Sequence, residues 1–273
     1  MGTKLKIGIV GCGAIGASLA KEIKKNFTGQ AVLSALFDID SQKSQKLAQA
    51  LRDNGLITKT LKQLIIRSKL VIESASAKSS WEISREALKS RKDVLVMSVG
   101  GIINNFKELS ALAKTNKAKV YIPSGAISGI DALKAAGISG INRVTLTTIK
   151  NPVSFKGVKY IEDKKINLSK IKKDTLIFSG SAKEAVKFFP QNINVAAILS
   201  LAGIGEVNTR VNIIASPGTK RNIHQITVDS NGGKISCRTE NVLHPDNPKT
   251  SYLAFLSAVA VLGQIFEPVR IGT

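Results

Sequence analysis

Residues 4–25 read KLKIGIVGCGAIGASLAKEIKK, and the architecture of the chain follows from them. Lys4 to Val10 is a short run of strand-forming residues, Gly11-Cys12-Gly13-Ala14-Ile15-Gly16 is a glycine-rich turn, and Ala17 to Lys25 has the composition of a helix. Each glycine has its own task in such a unit. Gly11 permits the tight turn out of the strand, Gly13 lets backbone approach a pyrophosphate, and Gly16 lets the helix pack closely on the strand. Ala14 and Ile15 of the turn are expected to join the glycines against the cofactor, and the amino terminus of the helix that follows offers the positive end of its dipole to an anion. By itself the pattern is weak, because the chain contains 22 glycines. Its context carries the reading.

Downstream, Ala31 to Phe37 reads as a second strand ending at Asp38, 22 residues after Gly16. An acid at that place accepts hydrogen bonds from the ribose hydroxyls of a dinucleotide and favours NAD, while the nearby Lys43 and Lys46 leave NADP open. Ser41 is expected to cap the helix that follows, from Gln42 to Asp53. Apolar runs at Leu70 to Ile72, Val94 to Val99 and Lys119 to Ile122 alternate with helical patterns at Trp81 to Lys89 and Asn105 to Thr115. Such alternation predicts a Rossmann-type, doubly wound parallel sheet. Ligands of an open parallel sheet lie outside the carboxyl ends of the strands. Ser74 and Ala75, after one strand, and Val99 and Gly100, after the next, are therefore expected to line the cofactor cleft.

After Gly129 the texture changes to alternating runs at Arg143 to Ile149, Thr175 to Ser179, Val207 to Ala215, Ile223 to Asp229 and Lys234 to Thr239. Asn231-Gly232-Gly233 between the last two is a hairpin signal. Helices are expected at Ala182 to Phe188 and Val195 to Leu201. The fold class is thus α/β, with residues 1–124 forming the dinucleotide-binding domain, completed by a carboxyl-terminal helix within 247–273. Residues 125–246 form a second, α+β domain with a mostly antiparallel sheet.

With 273 residues, 43% of them hydrophobic and 22% charged, the chain is globular and long enough for two domains. Forty Lys and Arg against 19 Asp and Glu give a net charge of +21, which favours anionic partners without choosing among them. Two cysteines, Cys12 and Cys237, build neither a disulfide framework nor a four-ligand metal site, and no acidic cluster offers another ligand set. No metal is expected, and the reading is cytoplasmic. Ile9-Val10-Gly11-Cys12 resembles a lipoprotein box, but too few apolar residues precede the cysteine for an export signal. Tyr252 to Phe266 is apolar for fifteen residues, short of a membrane span, and is expected to be a buried helix.

Acid and base candidates near neutral pH are scarce, because His224 and His244 are the only histidines. His224 begins an alternating apolar run and equally fits a packing role. His244 lies in a loop, His244-Pro245-Asp246-Asn247-Pro248-Lys249-Thr250-Ser251, where Asn247 would cap the last helix and Pro248 would take its first position. The free amides of that turn, with Lys249, would then make an anion site, although an ordinary capped helix start explains the same residues.

Several segments together resemble one family. Gly11 to Gly16, the run Pro123-Ser124-Gly125-Ala126-Ile127-Ser128-Gly129-Ile130-Asp131-Ala132-Leu133, the run Phe189-Pro190-Gln191-Asn192-Ile193-Asn194-Val195-Ala196-Ala197, and Asn247-Pro248-Lys249-Thr250-Ser251 are similar to the L-aspartate dehydrogenases. The match spans nearly the whole chain, and its last three motifs are specific in this order. The resemblance implies an NAD(P)-dependent enzyme that oxidises L-aspartate to iminoaspartate, which hydrolyses to oxaloacetate and ammonia or feeds NAD biosynthesis. It places the catalytic histidine thirty residues beyond Asn194, at His224. It also implies that Ala126, Ser128 and Asn194 meet the nicotinamide end, and that Asn194, Lys249 and Thr250 join His224 around the substrate.

On that reading the base must act near pH 7, since hydride leaves Cα only when the amine is neutral and the reacting carbons are held together. An exposed antiparallel sheet would suit a homodimer. Rival readings are a homoserine- or sugar-dehydrogenase-like enzyme of the same plan, and an NAD(H)-sensing regulator that spends its charge on DNA. No helix-turn-helix or zinc-finger pattern supports the regulator, and neither a membrane nor a nucleic-acid partner is expected.

Overall fold

The computed structural model describes residues 3–189, 193–269, 271 and 272, with backbone alone for Ile193, Pro248 and Lys249. The chain divides into two compact units, Met1–Pro123 with Ala258–Pro268, and Ser124–Ser257 with Val269–Thr273.

In the first unit β1 (Leu5–Val10), α1 (Ala14–Asn26), β2 (Ala31–Phe37), α2 (Ser41–Ala50), α3 (Leu61–Arg67), β3 (Leu70–Glu73), α4 (Ala77–Lys89), β4 (Asp93–Val96), α5 (Phe106–Thr115) and β5 (Val120–Tyr121) follow one another. The strands form one sheet in the order β2-β1-β3-β4-β5, every pair parallel. Helices on both faces require unbroken apolar strands, and Leu70, Val71, Ile72, Val94, Leu95 and Val96 are all buried. The order reverses between β1 and β3. That switch point opens a crevice beyond the carboxyl ends of the two strands, where Gly11 and Ser74 lie. Ser41 does not cap α2. Asp40 does, its carboxylate accepting from the Gln42 amide at 3.2 Å, and Ser41 is the first helical residue. The shorter α3 is capped by Thr60, which accepts from the Gln63 amide at 3.2 Å.

The second unit contains α6 (Ile130–Ser139), β6 (Ile141–Lys150), α7 (Lys159–Asp163), β7 (Thr175–Ser181), α8 (Ala182–Phe188), α9 (Ile193–Ala202), α10 (Gly205–Asn208), β8 (Arg210–Ala215), β9 (Asn222–Ser230), β10 (Gly233–Asn241), β11 (Leu243–His244), β12 (Asn247–Ser251) and the start of α11 (Tyr252–Phe266). Its five-stranded sheet has the order β10-β9-β6-β8-β7, in which only β6 and β8 run parallel. Helices α6 and α8 lie against this sheet and α9 packs on both. Period-two burial separates the faces: Val144, Leu146, Thr148 and Lys150 of β6 are buried with Val211, Ile213 and Ala215 of β8 and with His224, Ile226 and Val228 of β9. Arg143, Thr227, Ser236 and Arg238 on the other face are exposed. At the β9–β10 turn the positive φ falls on Gly233, at +126°.

Two expectations fail at the carboxyl-terminal end. Residues 247–251 form β12, paired antiparallel with β11, so Asn247 caps no helix and Pro248 does not open one. The local Asn-Pro signal loses to a turn closed by His244, whose Nδ1 accepts from the Asp246 amide at 3.1 Å. Helix α11 starts only at Tyr252, and it is not buried all round. Phe255, Ala258 and Leu262 make one buried stripe at helical spacing, whereas Leu256 is 42% exposed. Among the described residues no helix is long and apolar enough to cross a membrane.

Candidate active site

At the carboxyl ends of the parallel strands the glycines behave as three different devices. Gly11 has φ +92°, and a Cβ on it would fall 2.6 Å from the backbone of Ala75. A Cβ on Gly16 would collide with the Gly11 carbonyl, while nothing lies within 4 Å of the corresponding point on Gly13. The first and third are therefore packed shut, and the second faces open space. Among the described residues no side chain caps α1 and its first turn holds no acid, so the amides of Ala14, Ile15 and Gly16 remain available to an anion. Asp38 stands at the end of β2 with Oδ2 accepting from the Cys12 amide at 2.7 Å and Oδ1 from the Asp40 amide at 2.9 Å. Each oxygen keeps a further lone pair for a ribose hydroxyl. These features fit the anionic and ribose groups of a dinucleotide.

Ser74, Ala75, Val99 and Gly100 are brought together by a residue that the sequence shows only as a neighbour. Glu73, fully buried at the end of β3, accepts from the Ala75 amide, the Ser80 hydroxyl and the Ser98 amide, each at 2.9 Å. Burial pushes its carboxyl above the usual range, against the pull of these donors. It thereby staples the loop after β3 to the loop after β4. Ser74 adds a second tie, its hydroxyl donating to the Gly11 carbonyl at 2.9 Å.

On the buried face of the second sheet, His224 pairs across the strands with Thr148, whose hydroxyl lies 3.0 Å from Nδ1. This fixes the ring and leaves Nε2 as the nitrogen for other work. Burial, reinforced by the charge of Lys150, drives the imidazole pKa down to about 3, so the ring is neutral at physiological pH. Lys150 lies two residues beyond Thr148 on the same face, and burial lowers its own pKa to about 8. The loop carrying Ala126 and Ser128 docks beside this rung of the sheet. The Ala126 carbonyl accepts from Thr239 Oγ1 and Asn241 Nδ2, both at 3.0 Å, and Thr239 also donates to the His224 carbonyl at 3.3 Å. Gly125 (φ +68°) and Gly129 (φ +79°) bracket the loop, leaving Ala126 buried and Ser128 exposed.

Asn194 is half-buried near the start of α9, but Pro190, Gln191 and Asn192 of the same motif lie outside the described residues. Lys249 is placed in β12 by its backbone, and its side chain likewise lies outside them. Thr250 accepts from Asn247 Nδ2 at 2.9 Å. His244 is turned to structure: its Nδ1 holds the β11–β12 turn, and its ring packs edge-on against Tyr252 and Phe255, with centroids 5.4 Å away in each case.

Known proteins are similar to this chain along nearly its whole length. The family model described as aspartate dehydrogenase, C-terminal, matches residues 131–265, and that described as homoserine dehydrogenase, NAD binding domain, matches residues 11–123. An L-aspartate dehydrogenase of Methanosarcina barkeri is 46% identical over 271 residues, which cover 98% of this chain and all of the relative. The chain belongs to the L-aspartate dehydrogenase family. The family's enzyme from Methanocaldococcus jannaschii is 40% identical over 276 aligned positions, again across 98% of this chain. Among solved structures, aspartate dehydrogenase from Thermotoga maritima superposes with a TM-score of 0.78 at 25% identity, covering 99% of this chain and all of its own. A hyperthermophilic archaeal homoserine dehydrogenase, at TM-score 0.59 and 15% identity, shares the fold alone.

Proposed function

We propose that this chain is an NAD(P)-dependent L-aspartate dehydrogenase, converting L-aspartate reversibly to iminoaspartate and thence to oxaloacetate and ammonia, or supplying the imine to NAD biosynthesis. The observation that carries the reading is His224, neutral and oriented by Thr148 on the buried face of the very unit that matches the aspartate dehydrogenase family model. In this reading the first unit holds the dinucleotide through Gly11, Gly13, Gly16, Asp38 and the loops at Ser74, Ala75, Val99 and Gly100. The dinucleotide, when bound, takes up the hydride from Cα in one direction and returns it in the other. Ala126, Ser128 and Asn194 flank its nicotinamide end.

His224 Nε2 receives the proton of the substrate ammonium and releases it to solvent, and the ring, neutral again, then draws a proton from the water that attacks the imine carbon. The free protein holds His224 neutral, the protonation state from which a base in the oxidative direction must start, and its basicity has to rise when substrate binds. Lys249 and Thr250 on β12 serve the distal carboxylate, without the helix-start amides that the sequence suggested. Asp38 favours NAD over NADP, because a carboxylate repels a 2′-phosphate. The exposed face of the second sheet, around Arg143, Thr227 and Arg238, would meet its counterpart in a homodimer.

The reading is tested by following NADH absorbance with purified protein, oxaloacetate and ammonium. Oxidation that requires ammonium is the expected result. Oxidation without ammonium marks a keto-acid reductase and overturns the assignment, as does NAD reduction by homoserine or a polyol in place of aspartate. NADPH should serve less well than NADH, and Asp38→Ala should narrow the difference.

A further inference from the structure

Among the described residues of the second unit, one buried charge has no counter-charge. Lys150 is 8% exposed, and among the described residues its Nζ meets neither a hydrogen-bond acceptor nor a carboxylate. Its lowered pKa has burial as the sole cause, which is the signature of an ammonium without a partner. At pH 7 a group with a pKa near 8 is still mostly charged. A desolvated cation of this kind is costly, and proteins ordinarily supply an anion to it. Here the chain supplies more cations instead. Lys150 lines a cavity of about 570 Å³ together with Lys156, Lys220, Arg221 and Asn222, and no Asp or Glu is among the lining residues.

The sheet fixes how this cavity relates to the histidine. Thr148 and His224 are directly paired, and Lys150 is one rung further along the same face of β6, a diagonal neighbour within reach of a long side chain. Lys150 is the residue that both lines the cavity and acts electrostatically on His224. We propose that the ammonium of Lys150 is a substrate-binding group which takes one carboxylate of the dicarboxylate substrate and so seats its α-carbon beside His224. The inference rests on the aspartate reading above. It has a consequence for the base: a carboxylate on Lys150 cancels the positive field that disfavours the imidazolium, so substrate binding itself raises the basicity of His224.

Two measurements on the full-length protein test it. The first compares steady-state kinetics of the wild type, Lys150→Met and Lys150→Arg. Lys150→Met should raise KM for aspartate and oxaloacetate by about 30-fold or more with KM for NADH unchanged, and Lys150→Arg, which keeps the charge, should recover much of that loss. A folded Lys150→Met protein with KM for aspartate within about twofold of wild type overturns the proposal. The second needs no variant and no turnover. Wild-type protein is acetylated at limiting reagent with and without succinate, an unreactive four-carbon dicarboxylate, and modification at Lys150 is read by peptide mass spectrometry. Succinate should protect Lys150 while propionate at the same concentration protects it less; equal labelling in all three samples overturns the proposal. A wild type that turns over no aspartate would refute the aspartate reading, and the succinate protection would still decide the role of Lys150.

Discussion

Glu73 and Lys150 are both buried ionisable residues at strand ends, one in each unit, and they are treated in opposite ways. Three donors at 2.9 Å converge on the Glu73 carboxylate, which is thereby used up in joining two loops. Lys150 has no such partner among the described residues and borders a cavity lined by other cations. A saturated buried charge holds structure, whereas an unsaturated one waits for a ligand. The same contrast separates the two histidines. His244 is committed to a turn and two aromatic rings, and His224 keeps Nε2 in reserve.

The largest effect should come from the group with the open valence. His224→Ala is expected to lower turnover by about 100-fold or more, as for loss of a general base, while leaving NADH affinity unchanged in fluorescence titration. Turnover within a factor of three of wild type would return His224 to the role of a packing residue. Glu73→Gln should do the converse with a smaller magnitude. An amide cannot accept at both ends, so its NH₂ group would face one of the donors from Ala75, Ser80 and Ser98. NADH binding should weaken by about 10-fold with little change in the chemical step, and unchanged NADH affinity would show that the staple does not shape the cofactor cleft.

Acid separates the two regions by sign. The folded pKa of His224 is depressed to about 3 from 6.5, so its contribution is present above pH 6.5 and is lost as pH falls through that window, at about 1.4 kcal/mol per unit. The folded pKa of Glu73 is raised, so the folded state holds its proton more tightly; its contribution is present at low pH and is lost as pH rises through the folded value. Amide exchange between pH 7 and pH 4 should therefore show β6 and β9 losing protection before β1 and β3. Loss in the reverse order would mean that carboxylates elsewhere govern acid unfolding.

Much of the cofactor half was legible because its signals are contiguous. The strand, the three glycines and the acid at Asp38 follow in order, and a parallel sheet puts every strand end on the same edge. Glu73 escaped notice, since Ser80 meets it only once α4 turns back on β3, and Ser98 only once β3 and β4 are side by side. The chemical half has no contiguous form. Thr148, Lys150, His224, Thr239 and Asn241 share one region only through the register of β6, β9 and β10, which alternation along each strand does not specify. Asn247-Pro248 misled for a related reason: the pattern of a capped helix is local, and the pairing with β11 that overrides it is not.

The smallest effect concerns the two thiols, one in each unit. Cys12 sits within the glycine turn, buried, its pKa pushed up to about 12 first by burial and then by the neighbouring Asp38 carboxylate. A thiol so seldom ionised is a poor nucleophile, and its position against the Phe37 carbonyl gives an alkylating reagent little access. Cys237 on β10 is half-exposed beside Gly129. Iodoacetamide at pH 8 should therefore modify Cys237 well before Cys12, as read by peptide mass spectrometry. Cys12→Ser should change turnover and KM for NADH by less than about twofold, because the site uses the backbone amide of residue 12 and not its sulfur. Rapid alkylation of Cys12, suppressed by NADH, would instead place that sulfur on the cofactor surface and make the glycine turn more open than Gly13 alone requires.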